Sequence, residues 1–214
     1  MSAQLAVVGG GGFGREILDI VDAINADGRT SERYEVVGVF DDGTPDERLL
    51  AAYGTSRRGP VADVHELPSD VLVTVGIAHP QTRHRVVESL RGRTRPALIH
   101  PTVTMGRVVH IGQGAVLCSH VSVANHVVVG DDVQVGANST VGHDAVLLSC
   151  VTVSPLVAVS GNVELGERSF VGTGSALNQG VRVGEDAVVG SGATVIRDVT
   201  RDTTVVGTPA RRRT

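Results

Sequence analysis

The sequence predicts an α/β unit of the βαβ type followed by a parallel β-solenoid. Three observations support this fold class: a six-residue repeat of aliphatic residues that begins at Ile99, a glycine-rich segment near the amino terminus, and an aromatic content of only 2 %. With 214 residues, of which 41 % are hydrophobic, the chain can form two small domains. We place the boundary after residue 98, with the α/β domain at 1–98 and the solenoid and its C-terminal tail at 99–214.

The first domain alternates strand-like and helix-like stretches. Short runs rich in Val and Leu predict buried strands at residues 5–8, 36–40 and 71–75. Apolar residues at helical spacing predict helices at residues 15–24, 47–52 and 82–90. This alternation indicates a small parallel sheet flanked by helices.

A glycine-rich segment joins the first strand to the first helix. Residues 9–14 satisfy Gly-x-Gly-x-x-Gly, and backbone amides at such a helix start attract a phosphate. Asp41 and Asp42 end the second strand, where a carboxylate can accept hydrogen bonds from ribose hydroxyls or a base edge. The Rossmann-like unit is too short for a dinucleotide fold plus a catalytic domain. We therefore expect the nucleotide to be the part of a substrate through which the protein binds it. Alternatively, the glycines only make a tight turn and the two aspartates form a solvated loop.

The second domain carries a strict period of six. Seventeen consecutive positions at this spacing are aliphatic: Ile99, Met105, Ile111, Leu117, Val123, Val129, Val135, Val141, Leu147, Val153, Val159, Leu165, Val171, Leu177, Val183, Val189 and Val195. Neither a helix nor an ordinary strand has this period, whereas short strands joined by tight turns do. We expect the aliphatic residues inside, small residues at corners, and Gly, Asn or Asp after each aliphatic residue to permit positive φ. Three strands form one triangular coil of 18 residues, so residue n lies beneath n+18 at about 4.8 Å. A narrow prism of this kind leaves little room for aromatic rings.

Composition excludes several classes of function. All 19 basic residues are arginines, so lysine Schiff-base chemistry and a P-loop lysine are excluded, and a net charge of −4 argues against nucleic acid. The two cysteines are too few for a disulfide scaffold. No apolar stretch approaches the roughly 20 residues of a membrane span. We expect a cytoplasmic protein that is not associated with a membrane.

Among the histidines of the repeat, His143 stands out because Asp144 follows it. Coil arithmetic places Asn125 beneath His143 and Gly161 above it, so we expect open space above the imidazole for a ligand. A neighbouring carboxylate orients an imidazole as a general base. The same arithmetic places Asp144 over His126, and a pairing of those two residues is the alternative.

A metal site is the second possibility for the histidines. Three neutral imidazoles can hold a catalytic zinc. His120, His126 and His143 are the candidate trio, but His120 lies a third of a turn away from the other two. We therefore expect no metal.

Two glycine columns and the tail offer further surfaces. Gly172 stacks under Gly190, and Gly174 under Gly192, which suits the close approach of a thin ligand such as a pantetheine arm, although turns alone can require these glycines. The arginines at 211–213 either reach a nucleotide phosphate or form a solvated tail.

The combination of motifs resembles the left-handed β-helix acyltransferases. The motifs are the hexapeptide repeat, Asn-Ser-x-Val-x-His-Asp at 138–144, Ser-Gly-Asn-Val-x-Leu-Gly at 160–166, and Val-Val-Gly-x-Pro-Ala at 205–210. With the amino-terminal glycine unit and Phe-Asp-Asp at 40–42, the chain is similar nearly end to end to the sialic-acid O-acetyltransferase (NeuD) and bacillosamine-pathway N-acetyltransferase (PglD) group.

This resemblance implies that the solenoid is a left-handed β-helix. It also implies a homotrimer with active sites between neighbouring solenoids. Acetyl-CoA would lie along the coils and a nucleotide sugar at the N-terminal domain, with His143 as general base and Asp144 orienting it. The nucleotide contacts of the family map to Gly11, Gly12, Phe13, Asp41, Asp42 and Gly76. Its CoA contacts map to Thr152, Gly161, Thr173, Ser191, Gly207 and Pro209.

Three positions depart from the family pattern. Phe13 and Thr152 stand where the family usually has histidines, and Leu148 stands where it tends to have glycine. Thr152 can still donate a hydrogen bond to a thioester oxygen.

The function we expect is acetyl-CoA-dependent N-acetylation of a nucleotide-linked 4-amino-deoxy sugar. O-acetylation of a sialic-acid-like sugar is the alternative. A metal-dependent hydratase of the γ-carbonic-anhydrase type and a non-catalytic nucleotide-sugar binder are the further candidates.

Overall fold

The computed structural model describes residues 2–213. The strands of the first domain are β1 (Ala3–Val8), β2 (Tyr34–Phe40), β3 (Arg57–Gly59) and β4 (Leu72–Val75). Its helices are α1 (Gly12–Ala26), α2 (Glu47–Ala51), α3 (Pro80–Ser89) and a 3-10 helix at Val61–Glu66. The strands form a parallel sheet in the order β3-β2-β1-β4.

The predicted strands and helices of the first domain are present with slightly different ends. Strand β3 and the 3-10 helix were not predicted, because the Arg-Arg-Gly segment of β3 has no strand-like composition. It is a strand only because it pairs with the edge of β2, where Val39 lies beside Arg57. Pairing with a neighbour therefore overrides local propensity at this edge.

Helix α1 packs against both domains. Ile17, Val21 and Ile24 lie on one buried face of the helix, at the spacing of an amphipathic helix. This face packs in one apolar cluster with β1, with Leu98 at the domain boundary and with Val116 of the second domain. Burial of apolar side chains therefore holds the two domains together.

The second domain is a three-sided parallel β-helix. The strands of its first face are Leu98–Ile99, Val116–Leu117, Gln134–Val135, Thr152–Val153, Phe170–Val171, Val188–Val189, Thr204–Val206 and Arg211–Arg212. Those of the second face are Thr104–Met105, Ser122–Val123, Thr140–Val141, Ala158–Val159, Ala176–Leu177 and Thr194–Val195. Those of the third face are Val109–Ile111, Val127–Val129, Val146–Leu147, Glu164–Leu165 and Arg182–Val183.

The register confirms the predicted coil of 18 residues. Thr140 pairs with Ala158, and Thr152 with Phe170. The last coil is shorter, since Val188 pairs with Thr204. We call the turns between the first and second faces the first corner, those between the second and third faces the second corner, and those between the third and first faces the third corner.

The aliphatic positions of the repeat form the interior, with one exception. From Leu117 to Val195 they are all buried. The expectation that every such residue fills the inside is wrong for Met105, which is 46 % exposed. Met105 belongs to the first coil, so no further coil covers it from below.

Positive φ occurs at the corners, but not where the sequence predicted it. The residue three positions after an aliphatic residue, such as Asp144 or Asn162, adopts a φ near 58°. The glycine directly after an aliphatic residue is needed for a different reason. A Cβ on Gly142 would lie 2.5 Å from the backbone nitrogen of Gly161 on the next coil. Close stacking of coils, rather than turn geometry, thus selects glycine at that position.

Among residues 2–213, no helix combines the length and the apolar character that crossing a membrane requires.

Candidate functional site

His143 and Asp144 form a hydrogen-bonded pair at the second corner. Nδ1 of His143 lies 2.7 Å from Oδ2 of Asp144, and about half of each side chain is exposed. His126, the alternative partner, is farther away, with its Nδ1 3.9 Å from Oδ1 of Asp144. The close partner of the carboxylate is therefore His143.

The pairing orients the imidazole for proton transfer. An ionised Asp144 accepts a hydrogen bond from Nδ1–H, which leaves the lone pair of Nε2 as the proton acceptor. The backbone supports this geometry, because the amide of Asn162 donates to the carbonyl oxygen of His143 at 2.8 Å. The chemistry available at this corner is general-base catalysis.

Gly161 provides the surface on which the ring of His143 rests. A Cβ built on Gly161 would lie 2.6 Å from both Cε1 and Nε2 of that ring. The expectation of open space above the imidazole is therefore wrong, because the ring itself occupies the space that glycine leaves. Gly161 lacks a side chain and therefore allows the ring of His143 to pack against its backbone.

The glycine loop of the first domain opens to solvent at one point. Gly11 and Gly12 are exposed, with no heavy atom within 4 Å of a Cβ built on either, leaving aside their chain neighbours. Gly11 is the N-cap of α1 and has no side chain to cap the first amides. The exposed start of α1 therefore has no side chain to cap its amides, as at the helix N-termini that bind anions.

Asp41 and Asp42 form hydrogen bonds to the backbone of this region from its surface. Oδ2 of Asp41 accepts a hydrogen bond from the Gly10 amide at 2.6 Å, and its Oδ1 accepts one from the Gly43 amide at 2.7 Å. Oδ1 of Asp42 accepts one from the Val61 amide at 2.9 Å. Both carboxylates therefore hold loops in place, a role that sequence analysis did not assign to them.

Gly76 and Phe13 also contact the glycine loop, on its buried side. Gly76 is buried, and a Cβ there would lie 2.6 Å from Cα of Gly14. Gly14 is equally constrained, because its Cβ would overlap the carbonyl oxygen of Gly9. Phe13 is partly buried against the apolar cluster of α1. These residues shape the loop, while Gly11 and Gly12 form its accessible surface.

Thr152 is enclosed between the two domains. It is 5 % exposed, its Oγ1 donates to the carbonyl oxygen of Ala78 at 2.7 Å, and it accepts from Nη2 of Arg83 at 2.9 Å. Its hydroxyl is thus engaged inside the protein, and the expected donation to a thioester oxygen has no support in this geometry.

The remaining candidate CoA contacts lie together at one corner. Thr173 and Ser191 are exposed at the first corner, above one another in successive coils. Gly207 and Pro209 are exposed in the tail, which folds back on the last coil. The amide of Thr194 donates to the carbonyl oxygen of Gly207 at 3.0 Å. The tail is therefore an ordered extension of the first corner.

The glycines of the first corner have structural reasons for being there. Gly174 and Gly192 adopt a φ of 70° and 69°, and a Cβ on Gly172 would lie 2.6 Å from the Ser191 nitrogen. The arginines at 211 and 212 are exposed in a short antiparallel strand. Turn geometry and coil stacking explain both columns without a ligand.

The candidate groups occupy different edges of one protomer. His143 is at the second corner, Thr173 is at the first, and the two corners lie at opposite ends of the second-face strands. The first domain packs against the first face, the third corner and the early turns of the first corner, through residues such as Val116, Asp132 and Cys118. Within residues 2–213, no group of three or more His, Cys, Asp or Glu residues is arranged to hold a metal ion.

The position of Arg83 is not evident from the amino-acid sequence. This residue of α3 is completely buried between the domains. A helix rich in charged residues gave no indication of it, because its burial depends on where α3 meets the β-helix.

Comparison with known proteins supports both halves of the fold. Residues 4–90 match the family described as the PglD N-terminal domain. Residues 126–143 and 162–197 match the hexapeptide repeat of succinyl-transferase. The predicted fold class, a Rossmann-like α/β domain followed by a left-handed parallel β-helix, is confirmed.

Two solved structures resemble the whole chain. The acetyltransferase domain of PglB from Neisseria gonorrhoeae, in complex with acetyl coenzyme A, is 30 % identical, with 100 % of both chains covered and a TM-score of 0.88. PerB from Caulobacter crescentus, in complex with CoA and GDP-perosamine, is 24 % identical, with 99 % of this chain and 97 % of that chain covered and a TM-score of 0.86. The second likeness concerns the fold alone.

A curated relative matches part of the chain. The 2,3,4,5-tetrahydropyridine-2,6-dicarboxylate N-acetyltransferase of Staphylococcus aureus is 32 % identical over 110 residues, which are 50 % of this chain. The chain spans less than a third of that relative, 31 % of its length.

Proposed function

This chain belongs to the NeuD/PglD-type family of sugar acetyltransferases, and on that premise we propose that it acetylates the amine of a nucleotide-linked 4-amino-deoxy sugar with acetyl-CoA. The observation that carries the proposal is the His143–Asp144 pair, which leaves one imidazole nitrogen available as a base at an exposed corner. Acetyl-CoA as donor is supported by the PglB domain, which matches over the full chain and binds acetyl coenzyme A.

In the proposed reaction, the amine of the sugar attacks the thioester carbonyl. Nε2 of His143 takes the proton that the nitrogen loses, and Asp144 stabilises the imidazolium. The new C–N bond forms, the C–S bond breaks, and the thiolate of CoA leaves with the proton held by His143. General-base help of this kind contributes about 10²–10⁴ in rate.

The nucleotide of the substrate is proposed to bind at the glycine loop. The exposed amides around Gly11 and Gly12 suit a phosphate, and the match to the PglD N-terminal domain covers this segment. An amine acceptor is supported by the curated relatives, which are named N-acetyltransferases and match half of this chain.

A homotrimer is proposed because no single protomer unites the candidate groups. The His143 corner and the Thr173 corner lie at opposite ends of the second-face strands. A cleft between two neighbouring β-helices would bring the second corner of one chain near the first corner of the next. Sedimentation equilibrium tests this: three chain masses support it, and a monomer that retains full activity contradicts it.

The experiment that tests the function measures release of CoA thiol. Acetyl-CoA is mixed with UDP-, dTDP- or GDP-linked 4-amino-deoxy sugars, and each sugar is compared with its 4-hydroxy counterpart. We expect release only when acetyl-CoA and an amino sugar are both present, and its loss in His143→Ala. Release with the hydroxy sugar alone would replace the proposal by O-acetylation. Thermal stabilisation by the nucleotide sugar without any binding of acetyl-CoA would identify a non-catalytic binder.

A further inference from the structure

We propose that Arg83 is a positioning residue: it anchors the loop that follows β4 to the β-helix and thereby sets the place of the glycine loop relative to the His143 coil. The inference rests on the proposed function in one respect, since its kinetic consequence requires that the two regions bind the two substrates. Its structural part can be tested separately.

The guanidinium of Arg83 is enclosed by acceptors from both domains. The side chain is 0 % exposed. From the first domain, the carbonyl oxygens of Ile77 and Ala78 accept from Nη1 at 2.7 and 3.2 Å. The contacts from the β-helix are the carbonyl oxygens of Asp132, Cys150 and Val151 at 2.8, 2.8 and 3.0 Å, Oε1 of Gln134 at 2.9 Å, and Oγ1 of Thr152 at 2.9 Å.

These acceptors are neutral, which is unusual for a buried cation. The nearest carboxylate, that of Asp132, is engaged by Arg95 at 2.9 and 3.1 Å. Burial lowers the pKa of Arg83 to about 10, so the group is still cationic at neutral pH. Every N–H of the fork has an acceptor, and this planar arrangement cannot be reproduced by the compact ammonium of lysine.

On one side, the network leads to the glycine loop. Ile77 and Ala78 directly follow Gly76, which is in close contact with the glycine loop. A Cβ on Gly76 would lie 2.6 Å from Cα of Gly14, and a Cβ on Gly9 would lie 2.8 Å from the carbonyl oxygen of Gly76. The amide of Gly76 also donates to the carbonyl oxygen of Val8 at 2.7 Å, at the end of β1. A displacement of the 77–78 segment is therefore passed on to the backbone that begins α1.

On the other side, the network leads to the coil of His143. Thr152 lies nine residues after His143, at the start of the next coil, and its hydroxyl contacts both Arg83 and the carbonyl oxygen of Ala78. Gln134, one coil below, donates from Nε2 to the carbonyl oxygen of Val75 at 2.9 Å. Two adjacent coils thus hold the end of β4 and the loop after it.

Positioning is separable from cohesion here. The apolar cluster that includes Ile17, Leu98 and Val116 already joins the domains, but apolar burial has no directional preference. Hydrogen bonds to a planar guanidinium do have direction. Together with the buried Arg95–Asp132 pair, Arg83 therefore fixes the angle at which the first domain sits, rather than only whether it stays attached.

The test compares Arg83→Lys and Thr152→Val with Arg93→Lys as a matched control. Arg93 also donates to three backbone carbonyls, those of Val64, Leu67 and Pro68, but all of them belong to the first domain. For the first two variants we expect acetyl-CoA affinity within about twofold of wild type and kcat lower by about 10–10²-fold, as a misplacement of about 1 Å produces. For Arg93→Lys we expect kcat within about twofold of wild type.

Hydrogen exchange provides a readout that does not depend on activity. We expect faster exchange at residues 9–14 and 76–79 in Arg83→Lys and Thr152→Val, and no change there in Arg93→Lys. Unchanged exchange at residues 9–14 in both variants overturns the inference, as does wild-type kcat in both. A wild-type protein that is inactive with every amino sugar while these exchange changes occur refutes the proposed function and leaves the anchoring role of Arg83 supported.

Discussion

The imidazole of His143 rests directly on Gly161 of the next coil, with Cε1 and Nε2 each 2.6 Å from the point that a Cβ on Gly161 would occupy. This contact relates the two residues that sequence analysis had assigned to separate tasks, one to catalysis and one to CoA binding. The contact restricts the ring on the side of Gly161, although about half of the His143 side chain is exposed.

Gly161→Ala is expected to lower kcat without unfolding the protein. The added methyl group forces the ring of His143 to move, whereas the φ of Gly161 lies outside the positive range that disfavours alanine. We expect a loss of about 10–10²-fold in kcat, measured by CoA release. Gly28→Ala is the control, since a Cβ there meets no heavy atom within 4 Å apart from chain neighbours. Equal kcat in the two variants would show that the ring is not held by this contact.

Asp144→Asn is expected to reduce kcat by about 10²-fold or more, because the amide no longer holds the proton on Nδ1 and stabilises the imidazolium less. The KM for acetyl-CoA should change little. His126→Ala serves as the comparison, since His126 shares the corner but lies 3.9 Å from the carboxylate. A loss in His126→Ala as large as that in Asp144→Asn would reassign the function of the carboxylate.

Gly14→Ala and Gly12→Ala are expected to separate folding of the glycine loop from its binding. A Cβ on Gly14 overlaps the carbonyl oxygen of Gly9, so urea unfolding should reveal a loss of about 1–3 kcal/mol. A Cβ on Gly12 meets open space, so that variant should keep its stability and bind UDP-, dTDP- or GDP-sugars less tightly. Undiminished affinity in Gly12→Ala for every nucleotide sugar that wild type binds would place the phosphate elsewhere.

The free energy of unfolding is expected to fall as pH rises above about 9. Burial raises the pKa of the Cys118 thiol from 9.0 to about 12, and that of Cys150 from 9.0 to about 11. In the unfolded chain both thiols ionise near 9, whereas in the folded protein they stay protonated, so ionisation favours the unfolded state. Each thiol contributes a slope of about 1.4 kcal/mol per pH unit between its two pKa values.

Urea denaturation between pH 7 and 10.5 measures this effect, and Cys118→Ser with Cys150→Ser is the comparison. The doubly substituted protein should have a smaller alkaline slope. An identical slope in both proteins would contradict the burial effect on the thiols.

Much of the solenoid follows from the amino-acid sequence alone. Aliphatic residues at every sixth position are buried together when three short strands form each coil, and equal coil lengths then place Thr140 beside Ala158. The adjacency of His143 and Asp144 is also local. Even so, only the left-handed backbone at Asp144 and the rotamers at the corner select His143 over His126 as its close partner.

Other features depend on contacts between distant segments. Arg83 resembles an exposed helix arginine until α3 meets the third corner, and Thr152 resembles a ligand contact until Ala78 covers it. Periodicity and propensity act over a few residues and therefore determined the coils, the strands and the helices. The direction in which two finished elements approach each other is decided by packing across 70 residues or more, as between Ala78 and Thr152, and only the tertiary structure contains it.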